Sequence, residues 1–340
     1  MQSTRKEVAA AAGVSPAMVS AALGGRPSTI RMSKETRDRI LAAAAALDYH
    51  PNILAQGLKQ KHSFLIGLSY YDSNGNILAP LLRGIESALS GSDYSVVVEM
   101  HRDAASEAAA LLRLRHRRVA GLIATAAQDR DGRPSEALLD MQRQGRPLVE
   151  LFGKVIPGAA HFNPDHEGTG RILTRHLIAE GRRRIALLTH SATATCRGGL
   201  FFNAWENQQG YLAAIAEAGL SPRIVHYPVP AESGDLAMLR QNYEGGLAAL
   251  SNLLRGESPD AVLCFDSVAA AGLHRACLEK GLKLRICGLE KDVAALSCNP
   301  PLPGVVYDYD ELGRRSMLAL LRKMSGGEAQ SWSMPGRIES

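Results

Sequence analysis

RKEVAAAAGVSPAMVSAALGG, residues 5–25, decides the reading of the chain. Glu7 to Ala12 is a strong helix-forming run, and Gly13 is the residue type that ends a helix in the left-handed conformation. Ser15 is a good N-cap and Pro16 suits a first helical position, so a second helix is predicted through Met18, Val19, Ala22 and Leu23, ending at Gly24-Gly25. A helix, a short Gly-containing turn and a second helix form a helix-turn-helix, whose second member enters the DNA major groove. Two Ala-rich helices separated by a glycine also occur as ordinary packed helices, so the flanking residues matter.

Ser33, Lys34, Glu35 and Thr36 open a third helix, whose Ile40, Leu41, Ala44 and Leu47 recur at helical spacing and can close a three-helix core. Tyr49-His50-Pro51 end it. Residues 52–59 form a fourth short helical candidate, and 60–62 read as linker. The net charge is +5, and residues 1–62 carry nine Lys or Arg against four Asp or Glu, which leaves the remainder neutral. The basic surplus therefore sits on the segment proposed to meet phosphates. Five cysteines, widely spaced and without a Cys-x-x-Cys pair, suggest neither a disulfide framework nor a metal site. No run of eighteen apolar residues and no signal-peptide pattern occurs, so a cytoplasmic protein without a membrane partner is expected.

From residue 64 onward strands alternate with helices. Strands are predicted at 64–68, 95–100, 121–125 and 147–151, with helices at 81–89, 106–116 and 135–144. A second series has helices at 167–179, 208–218, 243–255 and 269–280 and strands at 184–189, 223–227 and 261–265. The alternation implies parallel sheets covered on both faces, in two doubly wound, Rossmann-like α/β lobes behind an all-α N-terminal domain. No Gly-x-Ser-x-Gly elbow, phosphate-binding Gly-rich loop with Lys, or His-Glu-x-x-His occurs, which argues against an enzyme and calls for no cofactor.

Val8-Ala9, Ala12-Gly13-Val14-Ser15, Val19-Ser20, Ser33 to Arg37, Tyr49-His50-Pro51-Asn52 and Leu54 to Leu58 together resemble the headpiece of the LacI family of bacterial transcription regulators. Weaker fragments continue the resemblance to the C-terminus, among them Leu82 to Glu86, His176 to Ala186, Gly210-Tyr211, Pro259 to Val262 and Glu311-Leu312-Gly313. It implies a DNA-binding headpiece (1–50), a hinge helix and linker (51–62), and an effector-binding and dimerisation core (63–340) like the periplasmic sugar-binding proteins. The N-lobe is expected at about 63–161 and 290–322, and the C-lobe at about 162–288 and 323–340. The implied protein is a homodimeric repressor of a near-palindromic operator in double-stranded DNA, governed by a sugar-like metabolite. The alternative is a ligand-binding protein with a weakly specific headpiece.

By the same resemblance, base-reading positions fall on Pro16, Ala17 and Ala21, which are apolar here. The two alanines can touch thymine methyls but cannot make bidentate bonds to guanine or adenine. Specificity is expected to lean on DNA shape and on Arg26 and Arg31. Ser15, Ser20 and Asn52, with Arg5, Lys6 and Lys34, are candidate phosphate partners; Ser15 can equally be only a helix cap. On the hinge helix Ala55 and Leu58 face DNA, and Leu58 stands at the family's minor-groove wedge.

Ligands of open α/β sheets bind at the carboxyl ends of strands, here the loops after Leu68, Thr125, Thr189 and Phe265. Tyr70, Tyr71 and Asp72 follow the first strand and offer aromatic faces and a carboxylate to a sugar ring. The resemblance adds Asp165-His166 at a helix start, Glu290 where the family has Asp, and two departures. Asn207 replaces an Arg, and Phe265 replaces an Asn ahead of Asp266. Arg197 can supply the lost guanidinium from a loop predicted to hold Phe201, Phe202 and Trp205. An acid at a helix start is otherwise only a cap.

Overall fold

The computed structural model describes residues 3–23, 30–49, 63–71, 77–127, 132–191, 202–228 and 235–340. Helix α1 (Arg5–Ala12) is opened by a capping box: the Thr4 hydroxyl accepts from Glu7 N–H while Glu7 Oε2 accepts from Thr4 N–H at 2.6 Å. Gly13, at φ 64°, closes it as predicted. Ser15 Oγ accepts from Met18 N–H at 3.3 Å at the start of α2 (Pro16–Leu23), and Ser33 caps α3 (Lys34–Ala46) through Thr36 N–H. Val8, Ala9, Ala12, Val19, Ala22, Ile40 and Ala44 form the three-helix core. Leu41, expected there, is exposed, because it lies one residue and about 100° around the helix from Ile40. Arg39 Nε donates to Ala12 O at 2.9 Å, placing a cation on the last carbonyl of α1 and tying α3 to it. The expected hinge helix lies outside the described residues.

The first lobe runs β1 (Leu65–Tyr71), α4 (Leu78–Leu89), β2 (Ser95–His101), α5 (Ala104–His116), β3 (Gly121–Ala124), α6 (Glu136–Arg143), β4 (Leu148–Leu151) and β5 (Ala160–Pro164). The second runs α7 (His166–Ala179), β6 (Ile185–His190), α8 (Phe202–Glu217), β7 (Arg223–Tyr227), α9 (Asp235–Leu253), β8 (Ala261–Cys264), α10 (Ser267–Glu279) and β9 (Arg285–Gly288). The chain returns through α11 (Val293–Leu296), β10 (Gly304–Val306), α12 (Tyr309–Met324), β11 (Trp332–Met334) and β12 (Arg337–Glu339). The first sheet has the order β11-β5-β4-β3-β1-β2 and the second β7-β6-β8-β9, every pair parallel; β10 and β12 make an antiparallel ribbon.

Side-chain alternation packs each sheet on two faces. In β6, Ile185 and Leu187 join the core under α7 and α8, while Ala186 and Leu188 join the one under α9 and α10. Three helix pairs approach so closely that glycine is required on both members. A Cβ at Gly84 would lie 1.8 Å from Asp310 O and one at Gly313 2.1 Å from Leu81 O, and the pairs Gly170/Gly210 and Gly246/Gly272 repeat the arrangement. The first of these fixes α12 on α4, so this helix returns to the first lobe.

Several boundaries differ from expectation. The first sheet continues to Pro164, past 161, and takes in β11, which the sequence placed with the second lobe. Helix α8 begins at Phe202 rather than 208, so Trp205 is helical rather than in a loop. Its first turns are rich in Asn, Glu and Gln and lack the apolar period that marks a helix. Helix α9 begins at Asp235 rather than 243, because the apolar run at 236–239 is continuous rather than periodic.

Candidate DNA-binding face and interlobe cleft

Burial of Val19 and Ala22 turns the opposite side of α2 outward. Ala17 and Ser20 are exposed and Pro16 and Ala21 half-buried on that side, so four of the expected DNA-facing residues form one surface. Ser20 Oγ donates to Pro16 O at 3.1 Å and accepts from Arg5 Nη1 at 2.9 Å, which parks a guanidinium at the edge of that surface. Ser15 does cap α2, and Arg31 is exposed just before α3. Arg26, Asn52, Ala55 and Leu58 lie outside the described residues.

In the core, the strand ends and the returning chain bring aromatic and acidic groups together. On the second lobe, His190 closes β6, Tyr227 closes β7 and Phe265 follows β8. The His190 ring stands 4.6 Å from Tyr227 and 5.4 Å from Phe265, and the Tyr227 hydroxyl meets His190 Nε2 at 3.3 Å. Asp266 caps α10 by accepting from Ala269 N–H at 2.8 Å, and it also accepts from Asn242 Nδ2 at 3.3 Å. Burial, reinforced by the charge of Asp292, raises its pKa.

Glu290 follows β9, and its backbone bridges Val305 of β10. The Tyr309 hydroxyl donates to Glu290 Oε1 at 3.1 Å. Burial pushes the Glu290 carboxyl up to about 7, with Asp292 and Asp266 adding repulsion and the Tyr309 hydrogen bond opposing it. The Tyr309 ring lies 5.9 Å from Tyr307 and 6.2 Å from Phe152, and Tyr307 stands 6.4 Å from the buried His166. Burial, reinforced by the Lys154 ammonium, lowers the His166 pKa to about 3, so this ring is neutral.

A loop between β4 and β5 crosses toward the second lobe. The buried Glu150 carboxylate accepts from Val155 and Ile156 N–H at 3.0 Å each, which fixes the loop, and Phe152 adopts φ 54° at its start. Lys154 then pairs with Glu206 of α8 at 2.7 Å, a charged link between the lobes.

Of the expected ligand residues, Phe265, Asp266 and Glu290 fall in one neighbourhood, and the buried Tyr70 belongs to the core on which Tyr309 packs. Tyr71 instead donates its N–H to Thr125 Oγ1 and packs its ring edge-on against His101. Asp165 is a cap, accepting from Gly168 N–H at 2.9 Å. Asn207 is buried, its Nδ2 donating to Asn203 O at 2.9 Å. Asp72 and Arg197 lie outside the described residues. The sequence reading missed Phe152, Lys154, His190, Tyr227, Asn242, Tyr307 and Tyr309. The strand-end rule reaches the first, third and fourth of these, whereas Tyr307 and Tyr309 join the site only through the return of the chain.

Residues 4–52 match the family profile described as "Bacterial regulatory proteins, lacI family", and residues 174–334 that of "Periplasmic binding protein-like domain". The chain is 27% identical over 314 residues to the HTH-type transcriptional regulator GalR of Escherichia coli, covering 89% of this chain and 84% of that protein. It is 28% identical over 336 residues to the regulator MalR of Streptomyces coelicolor, covering 95% and 90% respectively. Among solved structures, the lac repressor dimer bound to operator and the anti-inducer ONPF superposes with a TM-score of 0.73 at 22% identity, covering 100% of this chain and 98% of that one. A LacI family regulator from Enterococcus faecium with bound ribose gives 0.63 at 20% identity, over 81% and 97%. The chain therefore carries a lacI-family DNA-binding domain at residues 4–52 ahead of a periplasmic-binding-protein-like domain, and is similar along nearly its whole length to bacterial transcriptional regulators.

Proposed function

We propose that this chain is a homodimeric, cytoplasmic transcription repressor that binds a near-palindromic operator, with its affinity set by a sugar-like metabolite held between the two core lobes. The observation that carries this reading is the outward side of α2, where Pro16, Ala17, Ser20 and Ala21 are left uncovered by the three-helix core beside the guanidinium of Arg5. A relative named Ribose operon repressor, beside others named HTH-type transcriptional regulator GalR and HTH-type transcriptional repressor PurR, supports metabolite control. Exposed apolar side chains support self-association: Val293 and Leu296 of α11, the short helix packed against α10, are uncovered, as are Leu278 in the last turn of α10 and Leu282 just past it. The chain acts by binding alone, and no catalytic step is proposed.

Direct readout is thin, because Ala17 and Ala21 offer only methyl contacts, and each bidentate pair that they forgo is worth about 1–3 kcal/mol of discrimination. Sequence preference then comes from groove shape and a Leu58 wedge at the centre of the site. Gel shift against genomic fragments tests this. Specific binding that weakens steeply with salt is expected, since each neutralised phosphate releases counterions. Salt-insensitive or sequence-blind binding refutes it. Ligand control is tested by repeating the shift with metabolites that stabilise the chain to heat, since only a ligand with different affinities for two lobe arrangements can move DNA affinity.

A further inference from the structure

The polar groups around Asp266 are mostly acceptors and short of donors. Asn242 is more than nine-tenths buried, and its Nδ2 is committed to Asp266 Oδ2 at 3.3 Å, which fixes the amide orientation and leaves Oδ1 as a buried acceptor with no partner. Glu290 feels both Asp266 and Asp292 and Asp266 feels Asp292, and no cation among the described residues acts on either carboxyl. Asp292 is satisfied separately: it accepts from Ala294 and Ala295 N–H and from the Ser267 hydroxyl. On α8 the pattern repeats, since Asn207 Oδ1 and Gln208 Oε1 are buried without a partner. The Lys154 ammonium, which reaches α8 from the loop between β4 and β5, is paired with Glu206.

A buried acceptor without a donor is costly, and buried carboxylates without a counter-cation cost more. An ammonium group has three donors and no acceptor, so it answers both needs at once, whereas a phosphate or carboxylate would add acceptors and like charge. The aromatic neighbours Tyr227, His190 and Phe265 provide faces for the ligand body, and Tyr227 lies near enough to Asp266 for the carboxylate to act on its hydroxyl.

We propose that the ligand of this cleft is an amino sugar or a closely related polyhydroxylated amine, its protonated nitrogen seated among Asp266, Asn242 and Glu290. This rests on the reading of the cleft as the effector site and narrows it to ligands with a positive charge, excluding sugar phosphates and sugar acids.

Isothermal titration calorimetry of the full chain at pH 7.5 tests it with glucosamine, galactosamine and mannosamine, each beside its N-acetyl, unsubstituted and 6-phosphate counterparts. At least one amine is expected to bind ten times more tightly than all of its counterparts. Asn242→Leu and, separately, Glu290→Gln are expected to remove that tenfold preference while circular dichroism remains unchanged. Tightest binding by a phosphate, an N-acetyl or an unsubstituted sugar overturns the proposal, as does no binding by any amine. Gel shift on the same preparation separates the two levels: specific DNA binding without an amine preference rejects only the ligand class, whereas loss of specific DNA binding rejects the regulator itself.

Discussion

Glu290 makes folding stability depend on pH in a way that one substitution should erase. Its carboxyl titrates near 7 in the folded chain against 4.5 for an unstrained glutamate. The folded form therefore keeps its proton over a range in which the unfolded chain has already lost one. Stability contributed by this group is fully present below 4.5, falls as pH rises toward 7, and is level above it. At 1.36 kcal/mol per pH unit the loss reaches roughly 3 kcal/mol, an upper limit because the side chain is only partly buried. Glu290→Gln keeps an oxygen for the Tyr309 hydroxyl and removes the charge. Urea denaturation of both proteins at pH 5, 6, 7 and 8 should show the variant gaining stability relative to the parent as pH rises, with little difference at pH 5. Using the difference at each pH cancels the buried histidines, which act in the opposite direction. A difference that stays constant from pH 5 to 8 would refute the placement of this carboxyl among uncompensated acids.

Other outcomes follow from neighbouring features. Gly210→Ala puts a Cβ 2.0 Å from the Glu167 backbone oxygen, so α7 and α8 must separate; a loss of about 1–3 kcal/mol or more is expected in urea melts, and an unchanged midpoint would contradict that contact. His166 is buried and titrates near 3, so the unfolded chain takes up a proton from about 6.5 downward while the folded one does not, and stability falls as pH drops from 6.5 toward 3. His166→Gln should flatten that part of the acid-denaturation profile, and an equally acid-sensitive variant would count against it. Leu296→Glu charges the exposed apolar side of α11, and sedimentation should show a shift from dimer to monomer. A dimer of undiminished strength would place self-association elsewhere.

The headpiece was legible because its signals are local. Gly13, Ser15-Pro16 and Ser33 each specify a cap within three or four residues, and the structure places each where expected. The alternating strands and helices of both lobes were legible for the same reason, through period-2 and period-3.6 patterns inside single segments. Strands β5, β9, β10, β11 and β12 were not, being three to five residues long, and the pairings of β11 with β5 and of β12 with β10 join strands distant in sequence. The cleft divides along the same line. Phe265 and Asp266 stand at a strand end and Glu290 at a position that the family resemblance marks, whereas Tyr309 reaches Glu290 only because α12 folds back onto α4, a contact that no local pattern announces. Asp165 illustrates the ambiguity of such a position: a carboxylate at a helix start reads equally as a ligand group or a cap, and its Oδ1 accepts from Gly168 N–H.

The central claim is that the two lobes govern what the headpiece does to DNA. Its most direct test is the affinity of the full-length chain for its selected operator, measured by fluorescence anisotropy with and without a saturating cleft ligand, in the parent and in Asn242→Leu. Coupling between the sites predicts a change of about 5- to 150-fold in the parent that is reduced in the variant. An operator affinity that is the same with the cleft filled or empty would contradict it.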